Sequence, residues 1–213
     1  MLKANEIKKA LSLLRENYHD STTALNYNSP FQLLVATMLA AQSTDIRVNI
    51  VTKTLFQRYK TPADFLNLSQ TELEEQIKTV GLYRAKARNI LATCFILQSE
   101  FGGEFPLTRD KLMQLPGVGR KTANVVLSIA ADFDAIAVDT HVFRVSNRIG
   151  LAQAKNVRDT EEHLMQNIPQ SEWSEAHHWL IWHGRKICRA RKPLCISCFL
   201  NEICRYNRKT NHL

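Results

Sequence analysis

Four cysteines crowd into one short stretch of the chain: Cys188, Cys195, Cys198 and Cys204, spaced C-x6-C-x2-C-x5-C. Clustered thiols in a chain that reads as intracellular point to metal ligation before disulfides. Zinc sites usually pair two short knuckles, and only Cys195 and Cys198 form one. The longer reaches from Cys188 and to Cys204 suit the corners of an iron–sulfur cube. Spacing therefore favours an iron–sulfur cluster and leaves zinc open. The first loop between ligands carries Arg189, Arg191 and Lys192. Ligation at both ends would hold these cations in one shape, so that phosphates meet them without an ordering cost.

Two further groups could react. Lys121 follows the turn Leu115-Pro116-Gly117-Val118-Gly119-Arg120 and falls in the first turn of the next helix. The positive helix end and the neighbouring Arg120 both favour its neutral amine, which can form a Schiff base with a carbonyl or a sugar C1′ carbon. The alternative is a lysine that only contacts phosphate. Asp139 follows the short apolar run Ala135–Val138 and precedes a helix ending near Arg148. It is a helix N-cap candidate, and a cap facing a ligand could also serve as a carboxylate base. Thr140 and His141 follow it; His141 could orient Asp139, touch phosphate or simply pack. The glycines of the turn permit positive φ and close backbone approach, and the helix beyond offers unpaired N–H groups to an anion. A weaker copy of the turn, Gly81–Ala87, lies upstream.

The elements that must position these groups read as helices. Glycine and proline number only 7 and 6 in 213 residues, about half the usual share, and no segment alternates with a period of two. About ten helices and essentially no sheet are expected. Start signals occur at Ser29-Pro30, Thr61-Pro62 and Ser69-Gln70, with Thr108 and Ser171 as further candidate caps. Cys94 lies in the apolar run Asn89–Leu97 and reads as a small buried hydrophobe. His177, His178 and His183 share a tryptophan-rich helix and read as core or surface residues. No apolar run reaches the roughly 20 residues that span a bilayer, and the charged N-terminal helix has no signal-peptide core. The formal charge is +8. Arg185–Lys209 holds eight basic residues against Glu202 alone, a concentration that attracts polyanions.

Taken together, Leu33–Asp45 (LLVATMLAAQSTD), Val80–Ala87 (VGLYRAKA), Leu115–Leu127 (LPGVGRKTANVVL), Ala137–Arg148 (AVDTHVFRVSNR), His177–Arg185 (HHWLIWHGR) and the four-cysteine spacing resemble the endonuclease III family of helix-hairpin-helix DNA glycosylases, of the bacterial type. The resemblance spans essentially the whole chain, without departure at the positions that follow. It implies an all-α fold of two helical domains: a six-helix domain over residues 22–133 with the hairpin at about 108–127, and residues 1–21 with 134–213 carrying one [4Fe-4S] cluster per chain on Cys188, Cys195, Cys198 and Cys204. DNA would lie across a cleft between them. Lys121 would be the nucleophile and Asp139 the activating carboxylate. Gln42 would fill the gap left by an extruded nucleotide and Leu82 would wedge the opposing strand. Leu115, Gly117, Val118, Gly119, Arg120, Thr140, His141, Arg189, Arg191 and Lys192 would be further DNA contacts. The implied activity is base-excision repair: removal of oxidised pyrimidines and strand cleavage 3′ to the abasic site by β-elimination, on double-stranded DNA. A monomeric, cytoplasmic, nucleoid-associated enzyme without membrane attachment is expected. The alternatives are an adenine-mismatch glycosylase, which usually lacks a lysine at position 121 and adds a C-terminal domain, and a non-catalytic DNA-binding protein with a metal-stapled basic tail.

Overall fold

The computed structural model describes residues 1–130 and 135–210. Among them it shows twelve α-helices, one turn of 3-10 helix and no strand. The all-α expectation holds, with twelve helices where about ten were expected. The chain forms two compact units, Ala24–Phe133 and Met1–Thr23 with Asp134–Leu213. The boundary expected at 133–134 lies outside the described residues.

The first unit contains α2 (Pro30–Ala40), α3 (Asp45–Arg58), α4 (Pro62–Leu66), α5 (Gln70–Ile77), α6 (Tyr83–Phe101), α7 (Arg109–Leu112) and α8 (Arg120–Ala130). These are seven helices where the resemblance implies six. Helix α2 is apolar on nearly every side, and a helix of that kind is stable only when surrounded. Phe31 to Leu39 are all buried, and α3, α6 and α8 pack around them. Phe65 of α4 is fully buried and meets Phe31 edge-on at 5.5 Å. Thr37, the polar exception in the middle of α2, returns its hydroxyl to the Leu33 carbonyl at 2.7 Å. Cys94 is fully buried, and burial pushes its thiol up to about 12.

Local capping chemistry decides most helix starts. Ser29 Oγ accepts from Gln32, and Thr61 and Ser69 form complete capping boxes with Asp64 and Glu72. Gln32 turns its own side chain to the Asn28 amide instead of closing a box on Ser29. Two of the expected caps fail. Thr108 precedes α7 without a side-chain cap bond. Ser171 lies inside the 3-10 turn Gln170–Glu172, so the following helix starts one residue later than a serine cap would place it.

The second unit contains α1 (Ala4–Tyr18), α9 (Thr140–Ile149), α10 (Val157–Asn167), α11 (Trp173–Lys186) and α12 (Arg205–Thr210). Helix α11 is its centre, with α1 and α9 packed against it. His177, His178 and His183 are all buried on α11. The Ala137 carbonyl sits 2.7 Å from His177 Nδ1; a carbonyl only accepts, so Nδ1 carries the proton. This bond secures the buried run Ala135–Val138 that leads into α9. Among the described residues no helix is long and apolar enough to cross a membrane.

Burial, and secondarily the adjacent His177, push the pKa of His178 down to about 3. The folded chain therefore keeps His178 neutral, whereas the unfolded chain protonates it below about pH 6.5. Its contribution is complete above that pH and is lost as pH falls from 6.5 towards 3, by at most about 1.4 kcal/mol per pH unit. Urea denaturation at pH 7 and pH 5 should show a smaller pH-dependent loss for His178→Gln than for the parent chain. In the first unit, Gly117 has φ +80°, and an added Cβ would lie 2.7 Å from Asn89 Nδ2. Gly117→Ala should cost about 1–3 kcal/mol, measured as the shift in urea midpoint.

Candidate functional site

The turn between α7 and α8 is held from beneath. Leu115 and Val118 bury their side chains, at 2% and 5% exposure, and the Val118 amide closes the turn on the Leu115 carbonyl at 3.0 Å. The Thr93 hydroxyl donates to the Pro116 carbonyl at 3.2 Å, tying the turn to α6. Leu115 and Val118 therefore offer a ligand only backbone. Of the two glycines, only Gly117 needs positive φ. A Cβ on Gly119 would meet nothing within 4 Å, so the backbone there is open to close approach. Helix α8 starts immediately afterwards with half-buried Arg120 and exposed Lys121. An accessible backbone, a helix N-terminus and two cations make a site for an anion, with an amine beside it.

Gln42 and Leu82 share an unusual backbone. With φ of 55° and 59°, both lie in the left-handed region that disfavours residues with a Cβ,. Both are exposed, Leu82 at 59%. Their loops touch: the Gly81 amide donates to Ser43 Oγ at 3.1 Å, and a Cβ on Gly81 would stand 3.1 Å from the Gln42 carbonyl oxygen. Strain of about 1–3 kcal/mol per residue persists only where surroundings over-determine it, and it gathers at ligand-binding positions.

In the other unit, Asp139 caps α9: Oδ1 accepts from the Val142 amide at 2.8 Å. An ionised carboxylate has acceptor sites on both oxygens, so capping does not exhaust it. Thr140 is exposed and His141 half-buried. Burial lowers the pKa of His141, while the Asp139 charge raises it and Arg144 and Arg185 lower it. Arg144 Nη2 lies 3.2 Å from His141 Nδ1 and donates to the Gly184 carbonyl at 3.0 Å, and its Nε donates to the Cys188 carbonyl at 3.1 Å. This fit requires Gly184, because a Cβ there would lie 2.9 Å from His141 Nδ1. One turn further along α9, Arg148 donates to the carbonyls of Arg189 and Ala190 at 2.7 and 3.0 Å and stacks 4.6 Å over the Tyr206 ring. The loop it braces closes through the Leu194 amide on the Ile187 carbonyl at 3.0 Å. It leaves Arg189, Arg191 and Lys192 exposed, Lys192 with φ of 50°. The side chains of Arg208 and Lys209 lie outside the described residues.

Cys188, Cys195, Cys198 and Cys204 line one pocket, walled by Ile149, Ile187, Leu194 and Leu200 among others. All four are free thiols. Burial raises the pKa of Cys198 to about 11 and that of Cys204 upward, with the other thiols adding to both. Polar hydrogens already point at sulfur: the Leu200 amide is 3.4 Å from Cys198 Sγ and Arg148 Nη1 is 3.6 Å from Cys188 Sγ. His183 Nε2 lies 3.7 Å from Cys198 Sγ, and its Nδ1 is 3.2 Å from the Tyr18 hydroxyl. Among the described residues, no three His, Cys, Asp or Glu side chains are grouped as ligands of a single ion. Four soft donors around one apolar pocket, with N–H groups aimed at sulfur, fit a thiolate-bound iron–sulfur group.

The positions read from the sequence thus fall into local groups. Gln42 joins Leu82, Lys121 joins the hairpin backbone, and the four thiols join the basic loop. Arg144 and Arg148 escaped the sequence reading. Their i, i+4 spacing after Asp139 places them on one helix face, and that was the only signal available.

Comparison with known proteins shows the family. Residues 35–170 match the model of the HhH-GPD superfamily of base excision DNA repair proteins. Endonuclease III of Escherichia coli (strain K12) is 50% identical over 94% of this chain and 95% of its own. Two solved structures superpose with a TM-score of 0.94 at 47% identity: a non-covalent endonuclease III–DNA complex covering 100% of both chains, and a trapped endonuclease III–DNA covalent intermediate covering 99% of this chain and 100% of that one. The chain belongs to the endonuclease III family of HhH-GPD base excision DNA repair proteins and is a DNA glycosylase/AP lyase.

Proposed function

We propose that the chain excises oxidised pyrimidines from double-stranded DNA through a covalent bond between Lys121 and deoxyribose, as a monomer acting in the bacterial cytoplasm at the nucleoid. The observation that carries this reading is the exposed Lys121 on the first turn of α8, directly after the open backbone at Gly119. Similarity to a protein trapped covalently on DNA supports it.

Phosphates are held by the hairpin backbone at Leu115, Gly117, Val118 and Gly119, by Arg120, and on the other unit by Thr140, His141, Arg189, Arg191 and Lys192. Such contacts position the duplex without reading its sequence. Extruding a base costs roughly a few kcal/mol, least for damaged bases. Gln42 fills the vacated space and Leu82 wedges the opposite strand. Asp139 stabilises positive charge developing on the sugar and takes up a proton. The Lys121 amine bonds to C1′ as the bond from C1′ to the base breaks and the base departs. Ring opening leaves an iminium ion. Water takes a C2′ proton, the electron pair forms the C2′–C3′ double bond as the C3′–O bond breaks and the 3′ phosphate leaves, and hydrolysis of the imine frees the enzyme. Cys188, Cys195, Cys198 and Cys204 would hold one [4Fe-4S] cluster, whose contribution when bound is to crosslink the loop and the helices around it.

Borohydride added during incubation with a thymine-glycol duplex should trap a protein–DNA species that Lys121→Ala abolishes; an undiminished adduct in that variant would remove Lys121 from its role, and no adduct with the parent chain would leave a DNA binder only. The purified protein should be yellow-brown and contain about four irons per chain. Stoichiometric zinc without visible absorbance would overturn the cluster assignment.

A further inference from the structure

Gly81–Ala87, the weaker copy of the hairpin sequence, carries its lysine one position later than the hairpin does, and the fold buries it. Lys86 is 6% exposed, on the first turn of α6. A cation at a helix N-terminus is electrostatically misplaced, and its burial costs several kcal/mol unless its donors are satisfied. Here all three are engaged. Nζ donates to the Leu39 carbonyl at 2.7 Å, the Ala41 carbonyl at 2.6 Å and Ser43 Oγ at 3.2 Å. The two carbonyls lie at the C-terminal end of α2, where helical carbonyls lack partners and the dipole is negative. Burial lowers the Lys86 pKa, and the three acceptors oppose that by favouring the ammonium form.

The acceptors flank Gln42 on both sides. The backbone N–H of Lys86 meanwhile bonds the Leu82 carbonyl at 3.0 Å. The Lys86 side chain thus ties the Gln42 loop to the first turn of the helix that Leu82 caps, and both exposed members, Gln42 and Leu82, are held in left-handed backbone. We infer that Lys86 is a positioning residue for DNA opening, locking Gln42 and Leu82 into a preformed pair before the duplex arrives. This rests on the assignment of Gln42 and Leu82 as DNA contacts. A preformed pair avoids ordering two loops on binding, which is where pre-organisation gains affinity and rate.

Only a duplex needs its gap filled and its opposite strand wedged; a single strand bearing an abasic site needs the Lys121 chemistry alone. The measurement is the single-turnover lyase rate on an abasic duplex divided by that on the same lesion in single-stranded DNA. Lys86→Met, similar in bulk but without the donors, should lower this ratio by about tenfold to a hundredfold, while borohydride trapping on the single strand persists. An unchanged ratio, including equal losses on both substrates, overturns the inference. Should Lys86→Met fail to fold by circular dichroism, Lys86→Gln carries the same criterion, since one amide cannot span both carbonyls and Ser43. Gln42→Ala and Leu82→Ala serve as controls. If they leave the ratio unchanged, the contact assignment fails and the inference with it. If they lower it and the Lys86 variants do not, the inference alone fails.

Discussion

Carbonyl groups left over where helices end have to be satisfied by something other than the helix. Here cationic side chains take them. Lys86 takes Leu39 and Ala41 at the end of α2, Arg144 takes Gly184 and Cys188 at the end of α11, and Arg148 takes Arg189 and Ala190 beyond it. A hydrogen bond from a charged donor is worth about 1.5–3 kcal/mol, and removing the donor leaves the acceptor orphaned as well. Among the described residues the non-glycine positions with left-handed backbone are Gln42, Leu82 and Lys192. Gln42 and Lys192 stand on loops braced in this way, Leu82 caps the helix that carries the Lys86 brace, and all three are exposed. The braces make strained, outward-facing residues affordable.

This division of labour explains how functional groups coexist with ordinary folding roles. Asp139 is the N-cap of α9 and also the carboxylate assigned to the reaction, because a cap uses one oxygen and the group has two,. The basic loop has a protein brace in Arg148 in addition to any metal at its ends, so its shape does not depend on the thiols alone. In the hairpin, Leu115 and Val118 give their side chains to the core and only their backbone to the surface.

Helix starts were legible at Ser29, Thr61, Ser69 and Asp139, where the cap bonds an amide three residues on, whereas Thr44 and Asn156 cap α3 and α10 in the same way and were not read. Ser171 misled because a 3-10 turn runs across it, and Thr108 because a suitable residue at an N-cap need not make the bond. The hairpin glycines looked equivalent in sequence. The fold separates them into one that needs positive φ and one that leaves the backbone open.

The sequence by itself determined the all-helical class, the hairpin that carries Lys121, the capping carboxylate and the four-thiol set. Each of these is written in side-chain types at short spacing, where local bonding and periodicity act. Only the tertiary structure decided which cations would be buried and what they would hold. Lys86 finds its acceptors more than forty residues away, and Arg144 and Arg148 reach forty or more. Those acceptors are backbone carbonyls, which every residue possesses, so nothing in the order of side chains marks the ones that a fold will leave unpaired.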